Sequence, residues 1–233
     1  MWGTALLKKA PPRVYFLNGK TKREFFMDIL RDFISSGSPR LDQLLKFSIT
    51  IDKMTSVLRR NLLIDRSRRE NDAEHSWHIS VMALIFQEFA VEKVNALHAV
   101  EMLLVHDLVE IYAGDTFAYD VEGYKTKAER EKQAADKLFS ALPPEQEEHI
   151  RALWREFESR STPDARYADC LDKLQPFLHN TMTEGHTWRA TDIRTVRAQV
   201  EKRMSALEDF MPEVHKWVEK NIENAVSRNW LKE

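Results

Sequence analysis

A single cysteine, Cys170, in 233 residues excludes an internal disulfide framework and fits a reducing, cytoplasmic setting. Only 6 glycines and 8 prolines leave too few turn formers for an all-β sandwich or barrel. No apolar run approaches the roughly 20 residues that a membrane helix needs, so no membrane span is expected. The N-terminus sets only a few apolar residues before Lys8 and Lys9, the wrong order for a signal peptide. Charge of one sign is also missing. With 35 Lys and Arg against 37 Asp and Glu, there is no broad basic field, which argues against a nucleic-acid polymer as partner.

What the chain does have is helical periodicity. A short helix over 25–33 should end at the breaker cluster Ser35-Ser36-Gly37-Ser38-Pro39. Apolar spacing predicts a long amphipathic helix over 41–60, and the charged stretch 61–72 reads as a loop. Asp72 suits the N-cap of a helix running to about 90 that is apolar over most of its circumference, hence central. Further helices are expected over 93–113, 125–142, 145–159, from Thr162-Pro163 to about 185, and over 192–207 and 212–228, with 116–124 as a loop. No strand pattern emerges. The expected fold is all-α, one helical domain over 25–233 preceded by an extension, 1–24.

One stretch stands apart: Leu103-Leu104-Val105-His106-Asp107-Leu108-Val109-Glu110-Ile111-Tyr112-Ala113-Gly114-Asp115. Ionisable groups set among Leu, Val and Ile are costly to bury unless paired or coordinated. On a helix, Glu110 lies one turn after His106 and Asp107, and Gly114 reads as the glycine that ends the helix before Asp115. A divalent ion beside His106 and Asp107 needs further N or O donors from other helices. His75 or His78 on the preceding helix and Asp169 or Asp172 on a later one are candidates, and spacing alone leaves both pairs open.

Asn71-Asp72-Ala73-Glu74-His75, His106-Asp107-Leu108-Val109-Glu110 with Gly114-Asp115, and Leu171-Asp172-Lys173 together resemble the HD-domain metal-dependent phosphohydrolases. Within them the resemblance is to the bacterial 5′-deoxynucleotidase branch. It implies a single HD-type helical bundle and a homodimer. It implies His75, His106, Asp107 and Asp172 as ligands of one divalent metal ion (Mn, Co, Zn, Ni or Mg), with His78 and Asp169 as structural neighbours. Glu110 and Asp115 then serve the chemistry, and Arg60 binds substrate. The branch follows that Arg with a Trp, where this chain has Asn61, so deoxyribose selectivity does not carry over. Trp154-Arg155-Glu156-Phe157-Glu158 also recurs in the branch, with Glu156 a supporting candidate.

The function so implied is phosphate release from a small nucleotide, a 5′-nucleoside monophosphate, through a metal-activated water. Hydrolysis of triphosphates or of another phosphomonoester, and a non-catalytic nucleotide sensor, are the alternatives. Ile111 after Glu110 departs from the alarmone hydrolases. His149 alone, between Asp107 and Asp172, supplies no second metal's ligand set.

Overall fold

The computed structural model describes residues 30–233 except 191 and 194. The expected extension, the 24/25 boundary and most of the helix placed over 25–33 lie outside the described residues. The chain divides into two units at Asp42/Gln43. In the first, residues 30–32 form a turn, and the breaker cluster is held by Asp42, whose carboxylate accepts from Ser35 Oγ at 2.5 Å and Ser36 N at 2.8 Å.

The all-α expectation holds, with one addition. Helix α1 (Pro39–Ile51) stops well short of residue 60. A 3₁₀ turn (Asp52–Ser56) follows, and Val57 is already extended. Strand β1 (Leu58–Leu62) then pairs antiparallel with β2 (Arg69–Asn71). The stretch expected to be a helix end and a loop is therefore a small hairpin. Its register is irregular: Leu58 faces Asn71 but Leu62 faces Arg69, so β1 carries extra residues. Such a bulge re-aims side chains.

The other helices are α2 (Asp72–Ile85), α3 (Ala96–Val105), α4 (Glu110–Ala113), α5 (Val121–Phe139), α6 (Pro144–Ser159), α7 (Pro163–Met182), α8 (Arg197–Met204) and α9 (Pro212–Ser227). Helix α3 is the centre, packing on α2, α6 and α7 through the fully buried Ala99, Met102 and Leu103. Tyr167 of α7 donates to the Ala83 carbonyl at 2.9 Å and so ties α7 to the end of α2. Thr162 caps α7 and Pro163 opens it, as expected.

Three expectations need correcting. The N-cap of α2 is Asn71, not Asp72: Asn71 and Glu74 form a reciprocal capping box, which frees Asp72 to turn inward. Helix α2 is not apolar-packed all round either. Ile79, Met82 and Ala83 are buried, while Trp77, Val81, Leu84 and Ile85 are exposed. Helix α5 starts at Val121 rather than 125, because Asp120 caps it through Gly123 N at 3.0 Å. A Cβ on Gly123 would lie 2.6 Å from that carboxylate.

Candidate metal centre

Helix α3 ends at Val105, and His106–Val109 is a 3₁₀ turn before α4. The tighter turn separates neighbouring side chains by about 120° rather than 100°. His106 and Asp107 there meet His75 from the first turns of α2 and Asp172 from the middle of α7. Asp107 Oδ2 lies 3.1 Å from His106 Nε2 and 3.9 Å from His75 Nε2. Asp172 Oδ1 lies 3.1 Å from His75 Nε2 and 3.8 Å from His106 Nε2. The four expected ligands are thus brought to one point from three segments of the chain.

The outer nitrogens of both rings are already engaged. His75 Nδ1 meets Gln175 Oε1 at 2.9 Å, and His106 Nδ1 meets the Leu103 carbonyl at 2.8 Å. Donation from Nδ1 leaves each Nε2 lone pair facing inward, the arrangement a metal-ligating His adopts. His106 Nε2 is buried and finds no hydrogen-bond partner, although Asp107 Oδ2 is only 3.1 Å away. The two atoms are aimed at a common point rather than at each other. An ion with N and O ligands fits these residues.

The electrostatics agree. Burial and the nearby Arg59 guanidinium lower the His75 pKa, so this ring is neutral. Burial also works to lower the pKa of His106, but Asp107 and Asp172 override it and take the ring to about 10. The carboxylate pair demands a positive charge between the histidines.

Glu110 opens α4, and Gly114, at φ +76°, turns the chain so that Asp115 comes back toward it. Asp72, Glu110 and Asp115 each place an oxygen within 4.8 Å of the other two. Burial, then the charges of Asp107, Asp72 and Asp115, push the Glu110 carboxyl well above its usual range. Burial and Asp107 take Asp72 up to about 7, and burial raises Asp115. Carboxyls this close repel one another as anions, which favours a proton held in the cluster.

Both features open on a cleft of about 310 Å³ lined by Arg59, Arg60, Asn61, Glu110, Asp115 and a set of aromatic rings that includes Phe117, Tyr119 and Trp188. Arg60 lies over the Phe117 ring at 4.7 Å and pairs with Asp192 at 2.6 Å. Asn61 is buried in the wall, donating to the Pro176 carbonyl at 3.3 Å.

Other candidates go elsewhere. His78 faces Gln175 Nε2 at 3.2 Å. Asp169 is held by Lys173 and by Arg160 at 2.8 Å, so Lys173 serves that pair. Glu156 does not reach the cleft: it binds His98 at 3.0 Å and Thr162 at 2.6 Å. Arg59, Gln175 and Arg203 were not singled out from sequence, and Asp72 was read only as a helix cap, yet all contact the centre. Arg59 does so most directly, with Asp107 at 2.8 Å and Asp72 at 3.4 Å. Five arginines between residues 59 and 69 left no pattern by which Arg59 could be told from the others.

Comparison with known proteins places this geometry. The HD-domain family model matches residues 51–215, which hold every residue of the centre. The chain is 29% identical over 139 residues to the 5′-deoxynucleotidase HDDC2 of Danio rerio, covering 59% of this chain and 68% of that protein. To the Bos taurus HDDC2 it is 30% identical over 109 residues, covering 47% and 52%. The aligned stretch therefore spans only about half of some relatives and two thirds or more of others. A predicted metal-dependent phosphohydrolase from Magnetospirillum magnetotacticum MS-1 superimposes with a TM-score of 0.79 at 46% identity, covering 86% of this chain and all of that one. An HD-domain phosphohydrolase from Listeria innocua shares the fold, with a TM-score of 0.59 at 16% identity over 79% of this chain and 90% of that one. Spanning well over half of the chain, the family match identifies it as a member of the HD-domain family.

Proposed function

We propose that this protein is a metal-dependent phosphohydrolase that removes phosphate from a 5′-nucleoside monophosphate. The observation that carries this reading is the convergence of four N and O ligand atoms beside a proton-holding carboxyl cluster, in one cleft with cationic and aromatic walls. The names of its relatives, 5′-deoxynucleotidases and a metal-dependent phosphohydrolase, point the same way. Aromatic walls suit a base and cations suit a phosphate. Asn61 in the cleft wall leaves the choice between ribose and deoxyribose open to both sugars.

In this reading His75, His106, Asp107 and Asp172 hold one divalent ion. Such an ion neutralises phosphoryl oxygens and acidifies a water. The chain's own groups do the rest. Glu110, whose carboxyl burial pushes well above its usual range, gives a proton to the ester oxygen as the P–O bond breaks. Asp115 receives the proton of the water whose oxygen bonds to phosphorus. Arg60, paired with Asp192 and lying over the Phe117 ring, contacts the substrate from the cleft wall. The acting form is a homodimer, joined through the apolar stripe of α2, and the buried free thiol of Cys170 suits a cytoplasmic setting.

The test is phosphate release from ribo- and deoxyribonucleoside mono- and triphosphates, each with Mn, Co, Zn, Ni and Mg. Monophosphates should turn over. Glu110→Gln should lower kcat by roughly 10²–10⁴-fold with metal still bound, and His106→Ala should lose the metal. No release from any ester by demonstrably metal-loaded protein would overturn the reading.

A further inference from the structure

Six cationic side chains line the cleft: Arg59, Arg60, Lys127, Arg160, Lys173 and Arg203. Five are already committed. Arg59 binds Asp107 at 2.8 Å, Arg60 binds Asp192 at 2.6 Å, Lys127 binds Glu131 at 2.6 Å, and Arg160 and Lys173 share Asp169. Each of these cations has its charge answered by a carboxylate within the protein.

Arg203 differs. It projects from α8, fixed by the buried Val200 and Met204 on either side. The carboxylate it approaches is Asp172, at 3.6 Å from Nη2 to Oδ2, beyond hydrogen-bonding distance. Its guanidinium donates no hydrogen bond to any described residue, although a guanidinium carries five N–H donors. The side chain is only 21% exposed, so bulk water does not take up the charge as it would on the surface. It also sits on the far side of Asp172: Oδ1 faces the two histidines, while Oδ2 faces Arg203. An anion on the cleft side of Asp172 meets unspent donors there.

We propose that Arg203 is the phosphate-anchoring residue of the cleft, supplying the charged, two-pronged donor that seats a phosphoryl group next to Asp172. The ligand class is a phosphate monoester dianion, with inorganic phosphate, the product, bound in the same place. Net charge supports it. Six cations face seven carboxyls along the cleft wall; with the Glu110 proton in place the two signs balance, so a divalent ion leaves the lining with the charge that an incoming dianion neutralises. The proposal rests on the phosphohydrolase reading for the identity of the ester, but phosphate binding can be measured without turnover.

The test uses calorimetric titration of inorganic phosphate into the Mn-loaded full chain, compared among wild type, Arg203→Lys and Arg203→Met. Mn affinity is measured separately for each. Loss of a charge-assisted hydrogen-bond donor should weaken phosphate binding about ten- to a hundredfold in Arg203→Met. Lys, a point charge without the fork, should fall between. Mn affinity should stay within about twofold. With a nucleoside monophosphate that turns over, KM should rise in parallel while kcat changes less than about threefold.

Phosphate affinity unchanged in both variants at saturating Mn would overturn the proposal. So would a loss confined to Mn affinity, which would make Arg203 a prop for Asp172 alone. A wild-type protein that binds phosphate through Arg203 yet hydrolyses no ester would uphold the anchor and overturn the phosphohydrolase reading.

Discussion

Gln175 links two buried polar systems through one amide. Its Oε1 meets His75 Nδ1 at 2.9 Å, while its Nε2 donates to Glu70 Oε1 at 2.5 Å and lies 3.2 Å from His78 Nδ1 and 3.1 Å from His179 Nε2. Burial raises Glu70 to about 7 and lowers His179 to about 4, so this layer sits close to neutral behind a centre that demands positive charge. The oxygen end of the amide sets which nitrogen of His75 faces the ligand point, and the nitrogen end fixes the amide's own orientation. Groups of this kind typically contribute 10–100-fold to metal affinity. Gln175→Met should therefore weaken Mn binding by about that factor and lower the melting temperature, because Glu70 and His179 lose a buried partner. Unchanged Mn affinity in a folded variant would show that His75 needs no such support. His75 was legible in sequence but Gln175 was not: a Gln one turn from an Asp on a helix has no signature until the fold brings α2 against it.

At the scale of elements, the loop after Gly114 decides where Asp115 sits, and Arg130 of α5 holds that loop. Its guanidinium donates to the Ala113 carbonyl at 2.6 Å, to Thr116 Oγ1 at 2.8 Å and to the Gly123 carbonyl at 3.4 Å. These bonds span both sides of Asp115 without touching the cleft chemistry. Misplacing a reacting group by about 1 Å costs on the order of 10²-fold in rate. Arg130→Met should thus lower kcat at least about tenfold while metal affinity stays unchanged, and hydrogen exchange should quicken over 113–120. Wild-type kcat in that variant would mean that Asp115 is placed by its own backbone alone. The helices on either side were legible because their apolar spacing is regular. The His106-Asp107 turn stood out because charge among Leu and Val is expensive to bury. The β1–β2 hairpin was not legible: its strands are 5 and 3 residues long and rich in arginine, with no alternation to announce them. Asp72 was misassigned because Asn71 beside it is an equally good cap, and only the capping box with Glu74 shows which one performs that task.

For the whole molecule, the question is which apolar surface remains after the core is built. Helices α8 and α9, expected over 192–207 and 212–228, turn Val200, Met204, Val214, Val218 and Ile222 into the core. Among the described residues, an exposed apolar stripe lies on α2 instead. Trp77, Val81, Leu84 and Ile85 follow the i, i+4, i+7, i+8 rule of one helix stripe, with Trp77 66% and Ile85 61% exposed. Leu97 and Leu104 of the adjoining α3 are exposed as well. A contiguous apolar patch rimmed by polar residues marks an interaction site, and a two-fold pairing of α2 with itself buries it with the same residues on both sides. The opposite face of α2 carries His75, so the helix that would form the interface also holds a proposed ligand of the metal centre. Sedimentation of the wild type should give a dimer at micromolar concentration, and Trp77→Glu with Ile85→Glu should give a monomer that still binds Mn, since His75, Ile79 and Met82 face inward. A monomeric wild type, or a double variant that stays dimeric, would assign the stripe to some other contact. Metal retention in the monomer would further separate assembly from the chemistry, leaving the cleft complete within one chain.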